Sequence, residues 1–322
     1  MPVALVTGIS GQDGSYLAES LLADGYEVHG LVRNNTEENL RALGSPAGLT
    51  LHTVDLQAPD ALESVVRAVR PDELYSLAAV SSVAASWNDP VMTGAVNGQV
   101  VVRLLDAAFR LQEEHGHPVR VLHASSAEIF GQAEQTPQVE TTAIRPSSPY
   151  GASKAYAHLS VGVFRGRGLH ASNTVLYNHE SPRRPETFVT RKITAGVARI
   201  SRGLQDGLEL GNLDARRDWG WAPDYVRAMR LAVAAPEAGD FIVATGVSHT
   251  ISDFLSAAFG HVGITDWEHF VTVNPAFVRP VDPAEQLGDS SKARRELGWE
   301  PTVDFEALVA RMVEHDLGLL AR

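Results

Sequence analysis

Val3-Ala4-Leu5-Val6-Thr7 runs directly into Gly8-Ile9-Ser10-Gly11-Gln12-Asp13-Gly14, and helical spacing takes over from Tyr16 to Asp24. A short apolar run, a Gly-x-x-Gly-x-x-Gly spacing and an amphipathic stretch together read as strand, tight turn and helix. Gly8 permits the turn, Gly11 lets backbone N–H groups approach a pyrophosphate, and Gly14 lets the helix pack against the strand. The positive end of the helix dipole favours the same phosphates. All seven turn residues, Gly8, Ile9, Ser10, Gly11, Gln12, Asp13 and Gly14, are therefore expected to hold a dinucleotide.

Outward from this turn, strand-like runs at Glu27–Val32, Leu51–Val54, Glu73–Leu77, Val119–Ala124 and Ser172–Leu176 alternate with helical spacing. The helical stretches are Pro59–Val69, Val91–Gln112 and Tyr150–Arg167. Such alternation predicts an α/β fold, a Rossmann-type doubly wound parallel sheet. After about Tyr177 prolines punctuate shorter elements, so a smaller mixed α/β C-terminal substrate lobe is expected. The division reads as 1–177 for the dinucleotide-binding domain and 178–322 for the lobe, with part of 214–245 returning to the first domain.

Composition narrows the possibilities. The 322 residues carry 27 Lys and Arg against 39 Asp and Glu, a formal net charge of −12, which disfavours general nucleic-acid binding. The absence of cysteine removes disulfides and thiolate chemistry. The 12 histidines show no paired ligand spacing, so no metal is assigned. No basic leader precedes the first strand and no stretch reaches the ~20 apolar residues of a membrane span, which predicts a soluble cytoplasmic protein with no membrane partner.

Chemistry-bearing residues fall where the strands of such a sheet end. Arg33 closes the second strand, where a carboxylate would select the ribose 2′-OH of NAD; a cation suits the 2′-phosphate of NADP. Asp55 and Leu56 follow the third strand, and Leu77, Ala78, Ala79 and Ser81 follow the fourth. Tyr150 and Lys154 lie at i and i+4 on one helical face, where the ammonium lowers the phenol pKa and makes it a usable acid and base. Ser126, read as following the fifth strand, can hydrogen-bond the substrate oxygen. Glu128 beside it is a carboxylate that simple hydride transfer does not require, but removal of a proton next to a ketone does.

The glycine turn, Ser126, Tyr150 and Lys154 resemble the extended short-chain dehydrogenase/reductase superfamily. The strings Thr7–Leu17, Asn178-His179-Glu180-Ser181-Pro182-Arg183-Arg184, Phe188–Ile193 and Gly211–Gly220 are similar to the GDP-mannose 4,6-dehydratase family over nearly the whole chain. That resemblance implies an NADP-dependent hydro-lyase acting on GDP-mannose in deoxysugar biosynthesis. It further implies that Tyr150 takes the O4 proton, that C4 gives up hydride, that Glu128 removes the C5 proton as water leaves C6, and that the hydride returns to C6. NADP is then held tightly and recycled internally. By the same match His179 and Arg184 lie against the cofactor, with Tyr150 and Lys154. Asn178 meets the sugar diphosphate, and Lys192, Arg217 and Arg279 meet phosphates and nucleotide. Ser82, Val189, Gly211 and Asp282 complete the substrate side with Ser126 and Glu128.

Some positions depart from the family. Ser126 stands where Thr is usual, Ala127 where Ser is usual and Asp282 where Glu is usual; the basic loop after the second strand is here Arg33-Asn34-Asn35-Thr36-Glu37-Glu38-Asn39. The resemblance implies a homodimer or homotetramer, the dimer formed through the helices containing Val91–Gln112 and Tyr150–Arg167. The alternative activity is an NADPH-dependent reductase or epimerase of a nucleotide-linked 4-keto-6-deoxy sugar. A non-catalytic NADP-sensing scaffold on the same fold is the other class, and it has no need of Tyr150 and Lys154.

Overall fold

The structure is a computed structural model that describes residues 1–33, 47–58, 60–116, 118–277 and 281–321. Along the chain the strands run β1 (Val3–Thr7), β2 (Glu27–Val32), β3 (Leu49–Thr53), β4 (Glu73–Ser76), β5 (Arg120–Ser126) and β6 (His170–Leu176). They continue as β7 (Asn178–Glu180), β8 (Leu208–Leu210), β9 (Arg216–Trp221), β10 (Asp240–Val243), β11 (Ser248–Thr250), β12 (Val271–Val273) and β13 (Glu285–Gln286). The longer helices are α1 (Gln12–Ala23), α2 (Ala61–Val69), α3 (Val100–His115), α4 (Pro149–Gly166) and α5 (Val189–Ser201). α6 (Ala222–Ala234), α7 (Ile251–His261), α8 (Ser291–Leu297) and α9 (Phe305–Leu320) follow.

Seven strands form one parallel sheet in the order β10-β6-β5-β4-β1-β2-β3. The order reverses between β1 and β4, so a crevice opens at their carboxyl ends. Alternate residues of β1 enter opposite cores, as a pleated strand buried on both faces requires. Ala4 and Val6 pack with Leu17, Leu21, Tyr225, Met229 and Trp299 under α1 and α6. Leu5 packs with Leu62, Leu104, Val121 and Val161 under α2, α3 and α4. Elements after residue 177 thus contribute to the first core as well as to their own, where Trp219, Phe254, Phe305 and Met312 meet.

Two local departures from the sequence reading matter for the site. The fifth strand continues past Ala124 to Ser126 because its ladder with β6 runs on to Ser126↔Leu176. The stretch expected as one helix over Val91–Gln112 contains a π-helical turn, Ala95–Gln99, between Pro90–Gly94 and α3. The wider turn points Asn97 inward, fully buried. Its carboxamide oxygen accepts the Val80 N–H at 2.8 Å and its Nδ2 donates to the Val80 carbonyl at 3.1 Å. That pair of bonds fixes the loop leaving β4, and no local sequence signal marks it.

Candidate active site

The glycine turn is built as the spacing requires. Gly8 adopts φ +71°, and a Cβ there would lie 2.8 Å from the Ala78 nitrogen. A Cβ on Gly14 would lie 2.2 Å from the Gly8 carbonyl oxygen, so α1 starts against the turn only because that atom is missing. Gly11 closes the turn by donating its own N–H to Gly8 O at 2.9 Å. Thr7, which sequence reasoning passed over, accepts the N–H groups of Leu77 and Ala78 at 3.0 and 3.1 Å and so joins the ends of β1 and β4.

Two cavities open at this edge. A larger one of about 790 Å³ is lined by Gly8, Ser10, Gly11, Gln12, Asp13 and Gly14 of the turn, by Arg33 at the end of β2, by Asp55 and Leu56 after β3, and by Leu77, Ala78, Ala79 and Ser81, whereas the apolar Ile9 is turned into the core under α1 instead. Met92 and Val96 on the interrupted helix and Phe188 complete the cavity. A second of about 390 Å³ holds Ser126, Glu128, Tyr150 and Lys154 together with Ser82, Asn178, His179, Val189, Lys192, Gly211 and Arg217. The two share a wall that includes Asp13, Leu77, Ala79, Ser81, Arg184 and Phe188. Arg279 lies outside the described residues.

In the smaller cavity Ser148 caps α4 by accepting the Gly151 N–H at 3.0 Å, and Pro149 pre-sets the first turn, so Tyr150 enters the cleft at a fixed angle. Tyr150 hydrogen-bonds Ser126, and burial pushes its phenol up to about 12, a shift that Ser126 opposes and the Glu128 charge increases. Lys154 is 3% exposed and donates to Ala124 O at 2.7 Å, with its Nζ 6.0 Å from the Tyr150 ring centre. Burial lowers its ammonium to about 8. Glu128 is buried on a 3₁₀ turn whose N–H is accepted by Ser126 Oγ at 3.2 Å. A phenol, a cation, a hydroxyl and a carboxylate therefore face one small space, which suits proton removal at a hydroxyl and at a neighbouring carbon.

The substrate-side cations are held by the lobe. Arg217, 5% exposed, places Nη2 2.5 Å from Asp282 Oδ1 and Nη1 2.9 Å from Pro283 O. Asp282, expected on the substrate side, here meets the cavity through Arg217. Lys192 donates to Glu209 O at 2.6 Å and lies 4.2 Å from the centre of the Phe277 ring. Phe188, under the Arg184 guanidinium at 3.7 Å, and Trp219 and Phe277 also line the space, and none was singled out from the sequence. Aromatic rings lying under cations suit a flat base and its phosphates.

Asp13 and His179 meet at the shared wall. His179 Nε2 lies 2.9 Å from Asp13 Oδ2, its Nδ1 lies 2.8 Å from the Tyr177 carbonyl oxygen, and its ring stacks on Tyr225 at 4.6 Å. Burial works against charge on both partners, but their mutual attraction wins: the imidazole is raised above its ordinary value and the carboxyl lowered. Gln12 donates to His179 O at 3.2 Å and accepts the Ser181 hydroxyl at 2.8 Å.

Fold and site together define a Rossmann-type enzyme of the extended short-chain dehydrogenase/reductase kind with a carboxylate, Glu128, in the cavity beside Tyr150 and Lys154. The sequence model of the family described as GDP-mannose 4,6 dehydratase matches residues 5–312. The chain is 45% identical to GDP-mannose 4,6 dehydratase 1 of Arabidopsis thaliana, over 99% of this chain and 91% of that one. It is 41% identical to the human GDP-mannose 4,6 dehydratase, over 99% and 92%. The Thermus thermophilus UDP-glucose 4-epimerase, solved in complex with NAD, superposes with a TM-score of 0.84 at 30% identity over 98% of this chain and 99% of that one. The chain belongs to the GDP-mannose 4,6-dehydratase family.

Proposed function

We propose that this chain converts GDP-D-mannose to GDP-4-keto-6-deoxy-D-mannose and water, with NADP bound in the larger cavity and the sugar in the smaller. The observation that carries the reading is Glu128 beside the Ser126–Tyr150–Lys154 group, in a cavity that shares a wall with the glycine turn. The turn fits a dinucleotide because the space a Cβ at position 8 would take is filled by the backbone of Leu77 and Ala78, and that at position 14 by the turn's own backbone, which leaves the start of α1 free of side chains there. Arg33 at the mouth of the larger cavity favours the 2′-phosphate. When bound there, the dinucleotide would supply reversible hydride transfer, away from C4 and back to C6.

The chain's own groups move the protons. Tyr150 takes the O4 proton; burial holds its phenol up at about 12 before anything is bound, and an oxidised nicotinamide, when bound, would supply the positive charge that lowers it. The new 4-ketone acidifies C5–H, Glu128 removes that proton, and the C6 hydroxyl leaves with it as water. C5 then receives a proton that exchanges with solvent. Asn178, Lys192 and Arg217 hold the diphosphate and base. A second copy of the chain covers the apolar stripe Tyr156, Leu159 and Val163 on α4, which is 51%, 56% and 63% exposed.

Incubation with GDP-mannose and catalytic NADP⁺ in D₂O tests the reading. The expected product has lost water and carries one deuterium, at C5, with no net NADPH formed; Glu128→Gln keeps cofactor binding and loses dehydration. Stoichiometric NADPH consumption on a 4-keto-6-deoxy sugar, with GDP-mannose untouched, refutes the dehydratase reading in favour of a reductase.

A further inference from the structure

Proton counting at the Asp13–His179 contact leads further. The Tyr177 carbonyl oxygen can only accept, so His179 Nδ1, 2.8 Å away, carries a hydrogen. A neutral imidazole protonated there presents a bare lone pair at Nε2, and Asp13 Oδ2 lies 2.9 Å from it. Two lone pairs do not settle at that distance inside a protein. A proton must lie between them, either on Nε2 or on the carboxyl, and both cases hold one proton more than neutral histidine plus carboxylate. The surroundings do not supply the missing charge balance in another way. Gln12 Nε2 donates to Asp13 Oδ1 at 3.1 Å but is neutral, Tyr225 on α6 offers only its ring face, and the Arg184 cation acts on both partners. Tyr150 and Lys154 on α4 also feel the Asp13 charge.

The position gives this proton a consequence. Asp13 is in the first turn of α1, whose amides would face the dinucleotide phosphates, and its side chain lines both cavities. An uncompensated carboxylate there opposes phosphate binding. His179 is on β7, at the root of the segment that carries Arg184 and Phe188 between the two cavities. The same segment is tied to α1 by Ser181 on Gln12 and by Arg183, which donates to Ser15 at 3.0 Å and to Glu19 at 2.6 Å and lies 3.9 Å from the Tyr16 ring centre.

We propose that Asp13 and His179 share one proton that latches the Arg184 segment onto the glycine turn and cancels the Asp13 charge, so that dinucleotide affinity depends on its retention. His179 is on this account a positioning residue. The coupling to affinity rests on the dinucleotide reading above, whereas the shared proton does not. Loss of the proton at high pH opens the latch and exposes the charge, so the NADP⁺ dissociation constant should rise by up to about tenfold for each pH unit above that point, the limit for one linked proton.

The test uses the full chain. Side-chain ¹⁵N and ¹³C NMR across pH 6.5–9.5 reads the His179 ring nitrogens and the Asp13 carboxyl, and calorimetry reads NADP⁺ affinity over pH 7–10. Lys154 and Tyr150 contribute a pH dependence that persists in His179→Gln, so that variant isolates the latch. Asp13→Asn is a second variant, unable to carry the charge. The expected result is a proton still on the pair at pH 7, a wild-type affinity that falls with its loss at higher pH, and a shallower slope in both variants. A bare Nε2 facing an ionised Asp13 at pH 7 overturns the proposal outright. A retained proton with the same slope in wild type and both variants overturns the coupling alone. No NADP⁺ binding at any pH, with the proton still seen, overturns the coupling and the dinucleotide reading together.

Discussion

Lys154→Met separates stability from chemistry. The side chain is 3% exposed and burial lowers its ammonium to about 8, against 10.5 for the free side chain. At about 1.4 kcal/mol per pH unit between the two values, holding the charge inside the fold at pH 7 costs about 3 kcal/mol. Methionine fills nearly the same volume without that cost, but it loses the hydrogen bond to Ala124 O, which is worth about 1.5–3 kcal/mol when the donor is charged. At pH 7 the variant should therefore match wild type or exceed it by up to about 1.5 kcal/mol, despite losing a buried polar contact. Between pH 8 and 10.5 the unfolded chain keeps the lysine proton and the folded chain has lost it, so wild-type stability gains with rising pH across that window. Relative to Lys154→Met the gain should total about 3 kcal/mol by pH 10.5. Urea unfolding of both proteins at each pH measures the difference, and groups common to the two cancel. A difference that stays constant from pH 7 to 10.5 refutes the claim that burial of the charge dominates. Turnover on GDP-mannose should be lost at every pH, since no other cation stands beside the Tyr150 phenol on its helix.

Two further changes probe the lobe and the outer face. Asp282→Asn leaves Arg217 without its 2.5 Å carboxylate partner, and KM for GDP-mannose should rise about tenfold with kcat within about twofold; a fall confined to kcat contradicts a positioning role. Leu159→Arg puts a charge in the middle of the exposed α4 stripe and should convert the proposed dimer to monomer by light scattering, whereas an unchanged mass contradicts an interface on this stripe.

What the sequence disclosed and what it concealed divide by distance along the chain. The glycine turn, the Tyr150/Lys154 pair and Glu128 are legible because each depends on residues within a few positions, and the first steps of the sheet follow from alternation alone. Ser126 was placed just beyond its strand because a polar serine pair reads as a strand end, while the ladder to β6 in fact continues through it. Asn97 was invisible because a π-helical turn has no compositional mark, and its two bonds to Val80 exist only after the helix has packed on the loop. Asp282 is placed on the substrate side by the family resemblance alone; its carboxylate pairs instead with Arg217, 65 residues away in sequence, a partner no local pattern discloses.

The Asp13–His179 contact shows why such pairs change the chemistry and not only the packing. Asp13 lies inside the motif that most clearly announces a phosphate site, yet a carboxylate there is electrostatically wrong for phosphate. Read locally, Asp13 is a helix-start acid that favours the positive end of α1. Its compensation comes from 166 residues further on, from a histidine whose other ring nitrogen is already committed to a carbonyl. β7 therefore supplies the charge balance of the turn that follows β1, and the full chain carrying His179→Gln should keep the glycine motif but bind a dinucleotide more weakly at pH 7.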